Sequence, residues 1–198
     1  MEKELSQKSI TFSTVLRVLE NSKLNQLIIE DNMTVRNARR KDFADILRIY
    51  ARAREYMKQS GNPTQWGTAF PPETLIRDDI REKRNYVVET ESGVHGVFAF
   101  IEGEDPTYAR IEGAWRSDAP YGTIHRIASD GEVKGVFAAA IAFCKTRTSH
   151  LRIDTHKNNA TMRRAIEKAG FKKCGIIYIE DGSPRIAYEL TLEEAGLG

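Results

Sequence analysis

One stretch of the chain combines a strand, a glycine turn and a helix start in an order that suits anion binding. It runs from Ile124 to Cys144 and reads IHRIASDGEVKGVFAAAIAFC. The first four amides of a helix lack internal acceptors, and the aligned peptide dipoles place about half a positive charge there, so a phosphate is a natural partner. The same pattern also arises where Gly131 only makes a turn and the alanines let a helix lie close to a sheet. On this stretch alone the two interpretations are level.

Three side chains around this stretch could transfer a proton: Glu112, His125 and His156. The two imidazoles can titrate near neutral pH. Glu112 precedes the strand and could reach a pocket directly or through a water molecule. Each residue also has an ordinary role open to it, as a surface carboxylate or as a hydrogen-bonded structural imidazole, and for any one residue that role is the commoner.

Strand alternation predicts how the side chains near His125 are arranged. Ile124, Arg126 and Ala128 would share one face of their strand, and Asp154 would lie on a neighbouring strand. If the two faces coincide, Arg126 and Asp154 form a half-buried ion pair that orients the strands. His125 would then project to the opposite face, towards either an acceptor cleft or the hydrophobic layer.

The composition is that of an ordinary protein domain with one hydrophobic core. The chain has 198 residues, of which 40% are hydrophobic and 29% are charged, enough for one sizeable core. The formal net charge is only +2 and there is no long basic run. We therefore expect no nucleic-acid partner, whereas a small phosphorylated ligand is compatible with this charge.

The cysteines and the apolar runs indicate the compartment. Cys144 and Cys174 have neither metal-ligand nor disulfide spacing, so we expect two reduced thiols, neither of them a nucleophile, in a cytoplasmic protein. No apolar run approaches the roughly 18 residues that span a bilayer, and the N-terminus lacks the pattern of a signal peptide. We expect no membrane partner.

The chain divides at Met33 into an extension, residues 1–32, and a main domain, residues 33–198. In the extension, apolar side chains between Thr11 and Ile29 have mostly helical spacing and predict one or two short helices. The extension could pack on the core, mediate a homodimer or be loosely ordered, and the sequence does not choose among these.

The main domain is predicted to be mixed α/β. The expected helices begin at Asp42, as N-cap, and end near Ser60, and then span residues 73–83, 134–145 and 159–169. The expected strands are 34–36, 86–90, 94–101, 123–129, 151–155, 175–179 and 185–190, with a short helix or strand around 110–115. Strands 123–129 and 151–155, joined through a helix, form a parallel pair, while hairpins make the flanks antiparallel and helices cover both faces.

This element order and several short strings resemble the GNAT superfamily of N-acetyltransferases. The likeness covers roughly residues 34–190, and it includes the turn after the fourth core strand and an asparagine eleven residues before Gly170-Phe171. A bacterial subgroup of that family is similar in the strings HRIAS at 125–129, DTH at 154–156 and RIAY at 185–188.

The resemblance implies that acetyl-CoA lies between two splayed parallel strands, with its pyrophosphate on amides at the start of the intervening helix. The residues that this assigns to the cofactor are Ile127, Ala128, Ser129, Lys134, Gly135, Val136, Phe137, Ala138 and Asn159. Of the family's glycine pattern only Gly135 matches. Because Phe137 stands where the pattern has a small residue, its side chain must turn away from the ligand for the amides to be reachable. Lys134 either supplies a compensating charge or is solvated. Asn159 would contact the pantetheine arm, cap the helix, or both.

Acetyl transfer to an amine needs an unprotonated nitrogen, a polarised thioester carbonyl and a proton for the departing thiolate. The resemblance assigns the carbonyl to a backbone amide near Ile127 or Ala128, and the base is one of the three candidates above. The family's frequent acid, a tyrosine, falls on Ile166, so the proton must come from another group or from solvent.

The resemblance also implies an acceptor pocket made by the first two helices, their loop and the terminal hairpin. Gln65, Trp66 and Phe70 fit that position, and Trp115 with Tyr121 would close the other side. These aromatics suit an apolar amine or a cation–π contact with an ammonium group, although tryptophan also commonly anchors a loop into the core.

The leading hypothesis is therefore an N-acetyltransferase that moves an acetyl group from acetyl-CoA to a small-molecule or peptide primary amine by direct attack in a ternary complex. The alternative is a non-catalytic acyl-CoA-binding sensor or interaction module of the same fold. The departures from the family pattern at Glu132, Phe137 and Ile166 favour the alternative.

Overall fold

The computed structural model describes residues 26–29 and 33–191. The strands within these ranges are β1 Gln26–Ile29, β2 Met33–Asn37, β3 Asn85–Thr90, β4 Gly93–Glu102, β5 Glu112–Gly113, β6 Gly122–Ser129, β7 His150–Thr155, β8 Lys172–Tyr178 and β9 Pro184–Thr191. The α-helices are α1 Phe43–Gln59, α2 Glu73–Arg81, α3 Val136–Lys145 and α4 Ala160–Lys168. The predicted elements of the main domain are confirmed to within a few residues.

One sheet runs through the domain in the order β1-β2-β3-β4-β6-β7-β9-β8-β5. The β6–β7 pair is parallel, and every other neighbouring pair is antiparallel. This confirms the predicted fold class of a mixed sheet with a central parallel pair and antiparallel flanks. The long connection through α3 is what makes β6 and β7 parallel, since a short hairpin can join only antiparallel strands.

The two faces of the sheet are covered by different helices. α1 and α2 pack against one face in a cluster that includes Ile49, Ile76 and Val87. α3 and α4 pack with the opposite face, in a cluster that includes Ile166 and Val88. Val87 and Val88 thus face opposite sides, because successive side chains of a strand alternate.

The start of α1 differs from the prediction in one detail. Asp42 occupies the N-cap position, but its side chain makes no capping bond to the helix. Its carboxylate accepts instead from the Arg39 amide at 2.7 Å and from Arg36 Nη1 at 2.7 Å. Asp42 therefore ties the helix entrance to β2, the strand that carries Arg36.

The predicted helical extension is wrong at its end, where Gln26–Ile29 form β1 rather than a helix. β1 pairs with β2 in an antiparallel hairpin that crosses the expected boundary at Met33. The rest of the predicted helix, from Thr11, lies outside the described residues. The division into residues 1–32 and 33–198 stays a prediction.

The region between β4 and β6 contains little regular structure. Only Glu112–Gly113 forms a strand, and it pairs with β8 at the edge of the sheet. Added Cβ atoms on Gly113 and Gly175 would lie 2.3 Å and 2.2 Å from opposite backbone oxygens, so this edge requires glycine at both positions.

In the described ranges, no helix has the length and apolar character needed to cross a membrane.

Candidate functional site

The cleft at the centre of the sheet opens where its two parallel strands part. β6 and β7 pair only through residues 122–124, opposite residues 151–153. Beyond that point β6 stays paired with β4 and β7 stays paired with β9. A cavity of about 730 Å³, here called the central cleft, opens at this divergence and is lined by β6, β7, β9, the start of α4 and the loops after α1 and β8. The two strands therefore splay as the resemblance implied.

A β-bulge in β6 lies beside the central cleft. Between the pairs made by His125 and Ala128, two residues, Arg126 and Ile127, stand opposite a single residue of β4. Arg126 has a φ of 51°, in the left-handed region that side chains other than glycine rarely adopt. The carbonyl oxygen of Arg126 accepts from the Tyr50 hydroxyl at 3.1 Å, so α1 helps to hold this conformation.

The bulge overturns the predicted alternation along β6. Ile124 and Ile127 pack in the cluster beneath α3, whereas Ala128 packs in the cluster beneath α1. The prediction that Ile124 and Ala128 share a face is therefore wrong, because the extra residue in the bulge shifts the pattern by one.

The predicted ion pair between Arg126 and Asp154 is also wrong. Arg126 Nη2 donates to Asp79 Oδ2 of α2 at 2.6 Å, and the side chain of Asp79 is only 1% exposed. Asp154 Oδ1 accepts instead from the Tyr108 hydroxyl at 2.6 Å. Burial, followed by the charge of Asp154 and this hydrogen bond, raises the pKa of Tyr108 well above its usual value. Both members of the predicted pair thus have other partners.

His125 lines the central cleft and is paired with Asp105, a residue that the sequence did not single out. The distance from His125 Nε2 to Asp105 Oδ2 is 2.7 Å, and the two side chains are 16% and 10% exposed. Burial alone would raise the pKa of Asp105, but the hydrogen bond and charge of His125, with the Thr107 amide, lower it to about 2. The only sequence signal was the Asp-Pro-Thr turn, in which Asp105 Oδ1 accepts from the Thr107 amide at 2.8 Å.

Because Asp105 is ionised, it determines which nitrogen of the neutral His125 imidazole carries the hydrogen. A carboxylate can only accept, so Nε2 of His125 carries the hydrogen when the ring is neutral. Nδ1 then keeps its lone pair and makes no hydrogen bond to any described residue. In this arrangement His125 can act as a base, since a carboxylate orients its other nitrogen.

The other two acid–base candidates do not line the central cleft. Glu112 is exposed at the sheet edge, where it accepts from the Tyr178 hydroxyl at 2.8 Å. His156 follows β7, and its Nδ1 accepts from the Asn158 amide at 3.2 Å. Burial and then the charge of Arg185 lower the pKa of His156. Of the three candidates, the structure brings only His125 to the cleft.

The start of α3 has free backbone donors. Gly135 is the N-cap with a φ of 92°, and the first helical hydrogen bond runs from the Ala139 amide to the Gly135 carbonyl oxygen. The amides of Val136, Phe137 and Ala138 have no acceptor among the described residues. Val136 is buried and Phe137 packs on the core cluster, so Phe137 turns inward as the amide site requires.

The loop before α3 is tied to the body of the domain by Asp130, whose side chain is fully buried. Its Oδ2 lies 3.0 Å from both Arg48 Nη1 of α1 and His95 Nδ1 of β4. Its Oδ1 accepts from the Glu132 amide at 3.1 Å, and Glu132 is paired with Arg52. The loop therefore approaches α3 in a fixed conformation.

The remaining cofactor candidates at this junction differ in exposure. Ile127 is buried and lines the central cleft, while Ala128 is buried against α1. Ser129 Oγ accepts from the Gly131 amide at 3.3 Å. Lys134 and Ala138 are exposed.

Asn159 caps α4 and also contacts the loop after α1. Its Oδ1 accepts from the Met162 amide at 3.1 Å, which confirms the predicted N-cap. Its Nδ2 donates to Gln65 Oε1 at 3.0 Å, and Asn62 Nδ2 donates to the same oxygen at 2.7 Å. Asn159 and Gln65 both line the central cleft.

The five predicted acceptor residues separate into two groups. Gln65, Trp66 and Phe70 line the central cleft, with Trp66 packed edge-on against a tyrosine of α1. Trp115 and Tyr121 do not line it, because each ring stacks on the guanidinium of Arg152 at 3.9 Å.

Arg152 in turn belongs to a buried polar cluster around Glu189. Glu189 Oε1 lies 3.2 Å from Arg152 Nε and 2.5 Å from His150 Nε2. The two rings on Arg152 therefore shield a structural ion pair rather than a substrate.

The chain is similar in sequence and in fold to known acetyltransferases. The family model described as the acetyltransferase (GNAT) domain matches residues 32–172. A solved GNAT-family acetyltransferase from Streptococcus agalactiae is 27% identical, with a TM-score of 0.74 over 81% of this chain and 96% of that chain. No curated protein gave a significant match.

More distant solved structures share the fold. A GNAT-family acetyltransferase from Listeria monocytogenes is 19% identical, with a TM-score of 0.58 over 80% of this chain and 94% of that chain. A Salmonella typhimurium protein, described as a candidate acetyltransferase and solved with its cofactor acetyl-CoA, is 17% identical, with a TM-score of 0.51 over 83% of this chain and 96% of that chain. At these identities the likeness concerns the fold alone.

Proposed function

Because the chain belongs to the GNAT acetyltransferase family, we propose that it is an N-acetyltransferase that transfers the acetyl group of acetyl-CoA to a primary amine by direct attack in a ternary complex. The observation that carries the proposal is the central cleft, in which the Asp105–His125 pair and the aromatic loop after α1 face one cavity between the splayed strands.

The residues at the α3 junction fit the cofactor. The cofactor of this chain is acetyl-CoA, the acetyl donor of GNAT acetyltransferases. The unpaired amides of Val136, Phe137 and Ala138 would hold the pyrophosphate, and Asn159 would hold the pantetheine arm in place of its bond to Gln65. When bound, acetyl-CoA supplies the activated acetyl thioester.

The chain's own groups then act on the acceptor. His125 Nδ1 takes a proton from the ammonium or from the attacking amine, and Asp105 stabilises the resulting imidazolium. The bulge at Arg126 and Ile127 takes backbone groups out of the regular ladder beside the cleft, where an amide can polarise the carbonyl. Ile166 stands where the resemblance would place a tyrosine acid and cannot donate a proton, so we assign the proton of the departing thiolate to solvent.

The test is acetyl-CoA-dependent thiol release with a panel of amines. We expect turnover with at least one amine, and we expect His125→Gln to lower kcat/KM by about 100-fold or more while the Kd for acetyl-CoA is unchanged. The matched control is His150→Gln. His150 is a buried histidine outside the cleft, and its imidazole is hydrogen-bonded to Glu189.

Binding without turnover would support the sensor instead. A ligand at about 100 times its Kd should stabilise the chain by about 2.7 kcal/mol. A saturating thermal shift with acetyl-CoA, combined with no thiol release over the whole panel, would contradict the proposed catalysis and leave the binding site standing.

A further inference from the structure

A buried arginine on β9 lines the central cleft without a carboxylate partner. Arg185 is 6% exposed and forms part of the cleft wall. Its Nη1 donates to Ser183 Oγ at 3.0 Å and to the Pro184 carbonyl oxygen at 3.0 Å. Among the described residues, its Nε and Nη2 have no hydrogen-bond partner and no acid lies within ion-pair distance of it.

Three other largely buried arginines in the described part of the chain are ion-paired. The pairs are Arg36 with Asp42, Arg126 with Asp79, and Arg152 with Glu189. Removing a charge from water is expensive unless a counter-charge and hydrogen bonds replace the lost hydration. Arg185 departs from this pattern, and it lies in the wall of a cleft where a ligand can supply the counter-charge.

The acids near Arg185 compensate it only from a distance. Asp181 accepts from the Ser183 hydroxyl and reaches the guanidinium only through it, and both Asp181 and Glu180 are exposed where they line the cleft. The positive charge of Arg185 is also felt by His156, whose pKa is lowered first by burial and then by Arg185.

We propose that Arg185 binds a carboxylate of the acceptor, so that the substrate class is an amine that carries a carboxylate in the same small molecule. The unoccupied Nε and Nη2 form the edge of the guanidinium that matches a carboxylate with two parallel hydrogen bonds. This inference rests on the proposed function for its amine end and on Arg185 alone for its acid end.

The position of Arg185 in the sheet suits this role. The strand order β6-β7-β9 places one strand between His125 and Arg185, so their backbones are at least about 10 Å apart. Both side chains line the central cleft, at whose centre the strands have parted. In the proposed complex, one small acceptor presents its amine to His125 and its carboxylate to Arg185 across this shared cleft.

Part of the cleft wall is apolar and suggests the body of the acceptor. Met57, Trp66, Phe70 and Leu75 line it from the α1–α2 side. An apolar side chain buried there would lose contact with water and gain these contacts. The probes that match all three features are L-phenylalanine and L-leucine.

The experiment compares each amino acid with its own amide. Thiol release is measured with acetyl-CoA and L-phenylalanine, L-phenylalaninamide, L-leucine or L-leucinamide, for the wild type, Arg185→Met, Arg185→Lys and the control Arg110→Met, which changes an exposed arginine outside the cleft. We expect the wild type to prefer the carboxylates in kcat/KM by about 10-fold to 100-fold.

Arg185→Met should abolish that preference by slowing the carboxylates alone, Arg185→Lys should restore part of it, and Arg110→Met should match the wild type. An unchanged thermal shift with acetyl-CoA shows that each variant is folded and binds cofactor. The inference is overturned if the wild type treats acid and amide alike, or if Arg185→Met slows both equally.

A binding measurement separates this inference from the proposed catalysis. Calorimetry on the CoA complex compares N-acetyl-L-phenylalanine with its amide. Arg185-dependent binding of the acid, without turnover of any amine, would support the ligand class and contradict the acetyltransferase. Equal binding of acid and amide, or binding of neither, in a chain that turns over no carboxylate would overturn the ligand class.

Discussion

Replacing Asp105 with asparagine should impair the activity and the stability of the protein through one hydrogen bond. The asparagine can still accept from the Thr107 amide with its oxygen, so the local turn is kept. It cannot offer a carboxylate to His125 Nε2, whereas in the wild type Asp105 Oδ2 lies 2.7 Å from that nitrogen. Its amide can instead donate to Nε2, which moves the imidazole hydrogen to Nδ1 and removes the lone pair of that nitrogen.

The size of the stability effect follows from the pKa of Asp105. Its pKa falls from 3.8 to about 2 on folding, and that shift corresponds to about 2 kcal/mol. Because the folded-state pKa is the lower one, this stabilisation is complete above about pH 5 and is lost as the pH falls towards 2. The wild type should therefore exceed Asp105→Asn by about 2 kcal/mol at pH 7, and the difference should shrink below pH 4.

The assay is urea unfolding of both proteins at several pH values between 3 and 8, with Glu104→Gln as a neighbouring exposed control. Thiol release measured in parallel should show kcat/KM lower by about 100-fold in Asp105→Asn. Equal stability at pH 7, or a difference that does not change with pH, would refute the pairing. Unchanged kcat/KM would show that the pair is structural and not catalytic.

Three further predictions test the surroundings of the cleft. Asp79→Asn leaves the guanidinium of Arg126 without its carboxylate and should cost about 3 kcal/mol in urea unfolding, and simple additivity with Arg126→Met would contradict the pairing. Glu189→Gln removes the buried carboxylate shared by a histidine and an arginine and should lower the melting temperature by at least about 5 °C. A smaller decrease would argue against that cluster as a source of stability. Gly135→Val, at a φ of 92° beside the free amides, should weaken acetyl-CoA binding in calorimetry at least about 10-fold, whereas Gly131→Val, at a φ of 80° with open space around it, should weaken it less.

The fold was largely predictable because its elements follow local rules. The apolar residues of α1 recur at helical spacing, and β3 and β4 are buried runs on either side of a glycine-containing turn, so hydrophobic pattern and turn chemistry agree. The end of the extension failed because Gln26–Ile29 is decided by pairing with β2, a partner that spacing within the segment cannot reveal.

The sequence placed His125, Gln65, Trp66 and Phe70 at the cleft that they line, and placement was most direct where a residue acts through its own backbone or its own loop. Gly135 at the start of α3 and Asn159 at the cap of α4 are such cases. Asp105 is 20 residues from His125 in the chain, and nothing in the intervening irregular segment gives a register from which their contact could be read. Trp115 and Tyr121 misled because their partner, Arg152, approaches from another strand.

The error over Arg126 has a more specific cause, which also bears on the site itself. A single bulged residue reverses every face assignment that follows it in the strand, so alternation fails at Arg126 and the error extends to Ala128. A non-glycine residue at a φ of 51° costs roughly 1–3 kcal/mol and persists only where its neighbours fix it. Here Asp79 fixes the side chain and Tyr50 fixes the carbonyl, from the two helices on the acceptor side of the cleft. The same distortion takes β6 out of its regular ladder where the parallel strands part, so the feature that defeats prediction from sequence also leaves backbone groups out of the ladder beside His125.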